Sequence, residues 1–175
     1  PGPHASLDVP RPIFLYAGRV AVEKNIEAFL SLALPGTKWV VGDGPARPEL
    51  QRRFPDAVFF GMKTGEALAW YYRQADVFVF PSRTDTFGLV MLEALASGLP
   101  VAAYPVPGPL DVITDNQAGV LNEDLRAAAL QALSLTKENA RAHAETFSWR
   151  RTAEMFLANL ALFEREAALK APLPN

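Results

Sequence analysis

The sequence predicts an α/β domain in which a mostly parallel six-stranded sheet is covered by helices on both faces. Three observations carry that expectation. Short apolar runs alternate with longer stretches of helical period along the chain, as strand–helix–strand crossovers require. Some runs, such as "VFVF" at 77–80, have no polar side, which suits strands covered on both faces. The chain has 175 residues and half are apolar, so about 70% of its unfolded surface can be buried and no cross-links are needed.

The first strand is "PIFLYAG" (12–18), followed by "EKNIEAFLSLAL" (23–34), where Ile26, Phe29, Leu30 and Leu34 share one helical face. "TKWVVGDG" (37–44) is a second strand ending in a glycine-rich turn, and "ARPELQRRF" a short helix after it. "AVFFG" (57–61) is the third strand, and "GEALAWYYRQA" (65–75) is a helix leading into "DVFVF" (76–80). "PSRTDTFGLVMLEALASG" (81–98) then reads as a loop and a helix with its apolar face on Leu89, Leu92, Leu95 and Ala96. The fifth strand is "LPVAAY" (99–104), and Pro105, Pro107 and Pro109 mark a stiff loop before the sixth, "AGVLN" (118–122). From Glu123 to about Lys170 the pattern is helical, with Ser148 the expected N-cap of the last long helix. The expected division is a Pro-rich linker at 1–11, a Rossmann-like doubly wound domain at 12–147, and a C-terminal helix at 148–175. Such sheets bind ligands beyond the carboxyl ends of their strands, near the point where strand order reverses.

Composition excludes several classes. No cysteine is present, so disulfides, thiolate metal sites and a cysteine nucleophile are absent. The two histidines, His4 and His143, are too few for a multi-His metal centre, and His143, in the polar stretch "ENARAHAETF", is expected to face solvent. A formal net charge of −2 with no block of like charge argues against broad nucleic-acid binding. No apolar run approaches the roughly 18–20 residues of a membrane span, and the N-terminus has no signal-peptide pattern. The Pro-rich start reads instead as an interdomain linker, and the chain as a fragment cut there. Trp39, Trp70, Tyr71 and Tyr72 are assigned to packing in preference to base stacking.

The strand-to-helix loops are where chemistry is expected. "GRVAVEKN" (18–25) carries Arg19 and Lys24; together they can grip a diphosphate, the guanidinium as a fork and the ammonium as a point charge, or they can be surface charges, Lys24 pairing with Glu23 or Glu27. "VVGDGPARPEL" invites comparison with a dinucleotide fingerprint. The third glycine would fall at Arg47, however, and the motif follows the second strand where the first is required. Gly42 and Gly44 either permit a tight turn or let backbone approach a nucleotide. In the loop after strand four, Gly88 precedes a helix whose unpaired first amides form an anion site. Glu93 can accept from two neighbouring hydroxyls, as on a ribose, and Asp85 can reach whatever lies beyond the phosphates. The competing reading makes Asp85 or Thr86 an N-cap and Glu93 a solvated helix residue.

Taken together, "GRVAVEKN", "VVGDGP", "FFGMKTGEALAWYYRQADVFVFPSRTDTFGLVMLEALASGLPV" and the terminal "FSW" resemble the C-terminal donor-binding domain of retaining glycosyltransferase family 4, enzymes of the two-domain GT-B architecture. The resemblance runs from Phe14 to about Trp149 and rests on the order and spacing of its segments. It implies that Arg19 and Lys24 hold the donor's diphosphate and that Glu93, the second acid of an E-x7-E pattern, binds the ribose. Asp85 stands where the family usually has a Glu that contacts the transferred sugar. Backbone around Phe87, Gly88 and Leu89 is expected near sugar and phosphates. Main chain at Met62 is expected to meet the base, with Gly18, Gly42 and Gly44 also along the nucleotide. Where many relatives carry Gly-Gly and an acid, this chain has "PVPGPLDVI", and no role is assigned to Asp111.

The implied reaction moves a sugar from a nucleoside-diphosphate sugar, GDP- or UDP-linked, to an acceptor. No cofactor is expected, and no metal: fixed charges and the helix terminus would neutralise the leaving diphosphate. The implied partners are the donor and an N-terminal domain of the same protein that completes the cleft; the fragment alone is expected to be inactive. A cytoplasmic location follows, with any contact at the inner membrane face made through the full-length enzyme. Two alternatives stand beside this reading, a GT-B-type sugar-nucleotide epimerase fragment and a stand-alone nucleotide-binding module.

Overall fold

The computed structural model describes residues 9–85 and 88–147. The expected last helix with its cap at Ser148, the expected site residue Phe87, and most of the 1–11 linker lie outside them. The chain divides into two compact units, Pro1–Ala144 and Glu145–Asn175, and nearly everything described belongs to the first.

The six expected strands appear in the expected order, with helices between and after them: β1 (Ile13–Ala17), α1 (Ile26–Leu30), β2 (Thr37–Val41), α2 (Arg47–Arg53), β3 (Val58–Gly61), α3 (Gly65–Gln74), β4 (Val77–Phe80), α4 (Leu89–Ala96), β5 (Val101–Ala103), α5 (Pro107–Val112), β6 (Gly119–Leu121), α6 (Leu125–Ala132) and α7 (Lys137–Glu145). The strands form one sheet in the order β3-β2-β1-β4-β5-β6, every pairing parallel. The order reverses between β1 and β4, which places the loops leaving those two strands side by side.

Alternation along β1 shows why both faces are covered. Ile13, Leu15 and Ala17 join one apolar cluster, with Tyr71 and Tyr72 of α3, Met91 and Leu95 of α4, and Ala140 of α7. Phe14 and Tyr16 join the other, with Ile26 and Phe29 of α1, Leu50 of α2, and Ala128 of α6. Successive strand side chains point to opposite faces, so an all-apolar strand needs a helical layer on each side. The aromatic residues assigned to packing do pack: Trp39 meets Phe60 edge-on with centroids 5.1 Å apart, and stacks near-parallel on Trp70 at 6.5 Å.

Several local expectations are corrected. The first helix is short: a 3-10 turn at Val22–Lys24 ends in Asn25, whose φ of 53° is left-handed, and α1 then runs only to Leu30. Leu34 lies beyond it, though still against the core. On α4 the buried residues are Met91, Ala94 and Leu95, while Leu89 and Ala96 are exposed. The core face follows the i, i+3, i+4 spacing from Met91, and the first turn is free to look elsewhere. The Pro-rich stretch is not a loop throughout, because Pro107–Val112 forms a helix. Proline is tolerated in a first turn, where its missing N–H has no helical partner to lose.

The helical region after Glu123 is interrupted. Asp124 caps α6 by accepting from the amides of Arg126 and Ala127, and Thr136 accepts from the Asn139 amide at the start of α7. His143 is buried, not solvent-facing, with Nε2 2.8 Å from the Val112 carbonyl. It sits on the face of α7 that shares Ala140, so helical period outweighs the polar composition around it.

Candidate functional site

The site begins at the end of β1. The buried Tyr16 hydroxyl donates to the Arg19 carbonyl at 2.8 Å, fixing the backbone that carries the guanidinium. Burial first, and then the charges of Asp85 and Glu23, push the Tyr16 phenol well above its usual value, so it remains a donor. Arg19 itself extends to solvent and pairs with Glu23 at 3.2 Å. Lys24 does not pair with Glu23 or Glu27; its ammonium is held by Asp85 from the loop after β4.

Among the described residues, that contact is one of three side-chain contacts joining the two loops at the reversal of strand order. Asn25 Nδ2 donates to the Pro81 carbonyl at 3.1 Å, and Thr84 Oγ1 reaches the Glu23 carbonyl at 3.4 Å. Asn25 was not singled out from the sequence; its signal is that asparagine tolerates the left-handed backbone better than most residues. On the far side of the β4 loop, the Arg83 guanidinium lies 3.6 Å from the centre of the Tyr104 ring and pairs with Glu123 at 3.1 Å. The loop bearing Asp85 is thus tied at both edges.

Between the loops lies a cleft of about 550 Å³, within the roughly 300–1,000 Å³ usual for small-molecule sites. Among the expected site residues, Gly18, Arg19, Lys24, Asp85, Gly88 and Leu89 line it. The helix α4 starts there with Gly88 as N-cap at φ 77°, and among the described residues no side chain accepts from its first amides. Asp85 is not the cap, and Thr86, the other expected cap, lies outside the described residues; the first N–H groups of a helix suit an anion. A side chain at Gly88 would meet the Met91 methyl at 2.8 Å and the Phe80 ring at 3.1 Å as well as the unfavourable φ. The cleft carries both signs of charge, Arg19 and Lys24 against Glu23 and Asp85. A diphosphate entering it would compete with the protein's own carboxylates.

Glu93, Met62, Gly42 and Gly44 do not line this cleft. Glu93 is exposed on the fifth residue of α4 and accepts from the Tyr72 hydroxyl at 3.1 Å. Met62, just past β3, is 61% exposed. For Gly42 and Gly44 the close approach is to the neighbouring loop: a Cβ at Gly42 would stand 1.8 Å from the Gly18 carbonyl oxygen, and at Gly44 2.3 Å from that of Val20. The same loops are zipped by Gly18 N to Val41 O at 3.0 Å and Val20 N to Asp43 O at 2.8 Å. Tight loop packing by itself requires glycine at both positions, and a nucleotide-facing role for their backbone is compatible with it. Among the described residues no three His, Asp or Glu side chains cluster as metal ligands would, and no helix is long and apolar enough to cross a membrane.

A family model described as glycosyl transferases group 1 matches residues 11–138, well over half of the chain. The chain belongs to the glycosyl transferases group 1 family. It is 44% identical over 113 residues to a GDP-mannose-dependent alpha-mannosyltransferase of Mycobacterium tuberculosis, a match covering 63% of this chain and 30% of that protein. It is 32% identical over 177 residues to the alpha-D-kanosaminyltransferase of Streptomyces kanamyceticus, covering 94% of this chain and 41% of the relative. The chain thus spans less than half the length of either family member. Its fold is that of GT-B glycosyltransferases, as in sucrose-phosphate synthase from Thermosynechococcus elongatus, which superposes with a TM-score of 0.70 at 30% identity over 88% of this chain and 46% of that one.

Proposed function

We propose that this chain is the donor-binding half of a retaining glycosyltransferase, moving a sugar from a nucleoside-diphosphate sugar to an acceptor held by a domain not included in the chain. The observation that carries the reading is the convergence of Arg19, Lys24 and the N-terminus of α4 on one cleft at the reversal of strand order. Cations and helix amides aimed at one point suit the diphosphate that departs as the anomeric bond breaks. Fixed charges there stabilise the leaving group without reorganising, and one such donor is typically worth about 3 kcal/mol of barrier. Retention means that the acceptor oxygen takes the phosphate's place on the same face of the sugar. Asp85 would meet the sugar and Glu93 the ribose hydroxyls, with Met62 toward the base. The mannosyltransferase relative, by its name, depends on GDP-mannose, which supports a nucleotide-sugar donor, GDP- or UDP-linked. Because the relatives are more than twice as long, the acceptor site belongs to the remainder and this chain alone carries little transfer activity.

Calorimetric titration with GDP, UDP, ADP and NAD, repeated on Arg19→Ala, tests the reading. One nucleoside diphosphate should bind, and the variant should bind it about tenfold to a hundredfold more weakly, the usual worth of a charge-assisted hydrogen bond. A preference for NAD, or affinity indifferent to Arg19, would sink it. Robust sugar transfer by the chain alone would contradict its assignment as half of an active site.

A further inference from the structure

Glu93 is on the surface, yet one of its oxygens is engaged by a group from the interior. Tyr72 of α3 is 2% exposed, and its hydroxyl donates to Glu93 Oε2 at 3.1 Å across the gap between α3 and α4. Around it the ring is fixed by packing, edge-on to Phe78 with centroids 5.8 Å apart. A buried aromatic ring with two torsions is a rigid support, whereas a glutamate on a helix surface samples many rotamers and loses as much as about 2 kcal/mol of freedom when immobilised. The bond to Tyr72 removes part of that freedom before any ligand arrives. It also leaves the carboxylate usable, because an ionised carboxylate has about four acceptor positions. Oε1 and the second lone pair of Oε2 remain for two adjacent hydroxyls.

The direction of the bond is secure. Burial first, and then the charge of Glu93, push the Tyr72 phenol far above its usual value, so near neutral pH the hydroxyl keeps its proton and donates to Glu93. The Tyr16 phenol contributes to the same shift and itself lines the cleft beneath Arg19. Two buried phenols thus support the site from below, one under the loop of Arg19 and one under Glu93.

We propose that Tyr72 is a positioning residue, holding Glu93 in the rotamer that receives the two hydroxyls of the donor's ribose. The proposal rests on the assignment of Glu93 to the ribose made above. Tyr72→Phe is the informative variant, because it keeps the ring and its packing and removes only the hydroxyl. The probes are GDP with 2′-deoxy-GDP and UDP with 2′-deoxy-UDP, titrated into the wild-type protein, Tyr72→Phe, Glu93→Gln and the double variant, with thermal unfolding followed in parallel. The wild type should prefer the ribonucleotide of the base it binds. Tyr72→Phe should lower that preference about fivefold, the usual worth of one hydrogen bond, with the deoxynucleotide affinity little changed. In the Glu93→Gln background, Tyr72→Phe should have no further effect on the preference.

Equal weakening of ribo- and deoxynucleotide in Tyr72→Phe, or additive effects of the two substitutions, would overturn the positioning role and leave the ribose assignment standing. A wild-type protein that binds neither pair, or does not distinguish the two sugars, would overturn both. So would a Glu93→Gln variant with unchanged preference.

Discussion

Asp85 is the residue whose partner changes its meaning most. The resemblance assigned it to the transferred sugar, and the structure shows it holding Lys24 from a loop sixty-one positions away. A free diphosphate must draw Lys24 away from that carboxylate or accept a negative neighbour. Asp85→Asn keeps the shape and removes the charge, so nucleoside diphosphate should bind the variant more tightly than wild type, by about threefold if the pair is worth what partly exposed pairs usually are. Titration at low and high salt would check this, since the gain should shrink as salt screens Lys24. Weaker binding by the variant would mean that Asp85 helps to hold the nucleotide. The Arg19 guanidinium, by contrast, pairs with Glu23, one turn along its own loop and itself half exposed, and its paired state should cost a ligand little.

At the scale of elements, the β1 and β2 loops behave as an extension of the sheet beyond its strands. Gly18 and Val20 donate across to Val41 and Asp43, and Ala46 N returns to Val20 O at 3.1 Å. There is no room for a side chain at Gly42, whose Cβ would overlap the Gly18 carbonyl, and its φ of 142° disfavours one. Gly42→Ala should therefore destabilise the protein by about 2–4 kcal/mol, adding backbone strain to overpacking, as read from the midpoint of urea unfolding. Unchanged stability with lost nucleotide affinity would instead return Gly42 to the ligand-facing role. The pattern G-x-G was visible in the chain, but the close approach behind one of its two explanations was not, because the loop it packs against leaves a different strand. For α4, residue periodicity alone placed Leu95 and Leu92 correctly but also chose Leu89 and Ala96, which are exposed, in place of Met91 and Ala94.

For the whole molecule, stability should fall on the alkaline side. Tyr16, Tyr71 and Tyr72 are all held above the usual phenol value, burial being the first cause in each case. A raised phenol value means the folded chain keeps protons that the unfolded chain releases above about pH 10. The stabilisation is complete below that pH and is lost as pH rises from the unfolded value through the folded ones. Urea midpoints should hold steady through neutral pH and drop near pH 11, and the drop should be shallower in Tyr72→Phe. An identical alkaline fall in that variant would remove Tyr72 from the account. The same two-sided burial explains how much of the architecture could be read in advance. Strands such as β1 and β4 are apolar at every position, so they had to be interior strands, and the intervening helices had to lie on both faces.

The sequence by itself determined the order of the strands, the parallel doubly covered sheet, and the presence of two cations in the first strand-to-helix loop. These depend on local period and on which loops leave strands at their carboxyl ends, and both are written in neighbouring residues. Only the tertiary structure decided that Lys24 meets Asp85, that Gly42 is pressed against Gly18, that Tyr72 holds Glu93, and that His143 is inside. Each of those contacts joins segments far apart in the chain. They exist because the strand order sets β1 between β2 and β4 and the helices on one face lie against one another. No periodicity along the chain records which loops and helices that arrangement makes neighbours.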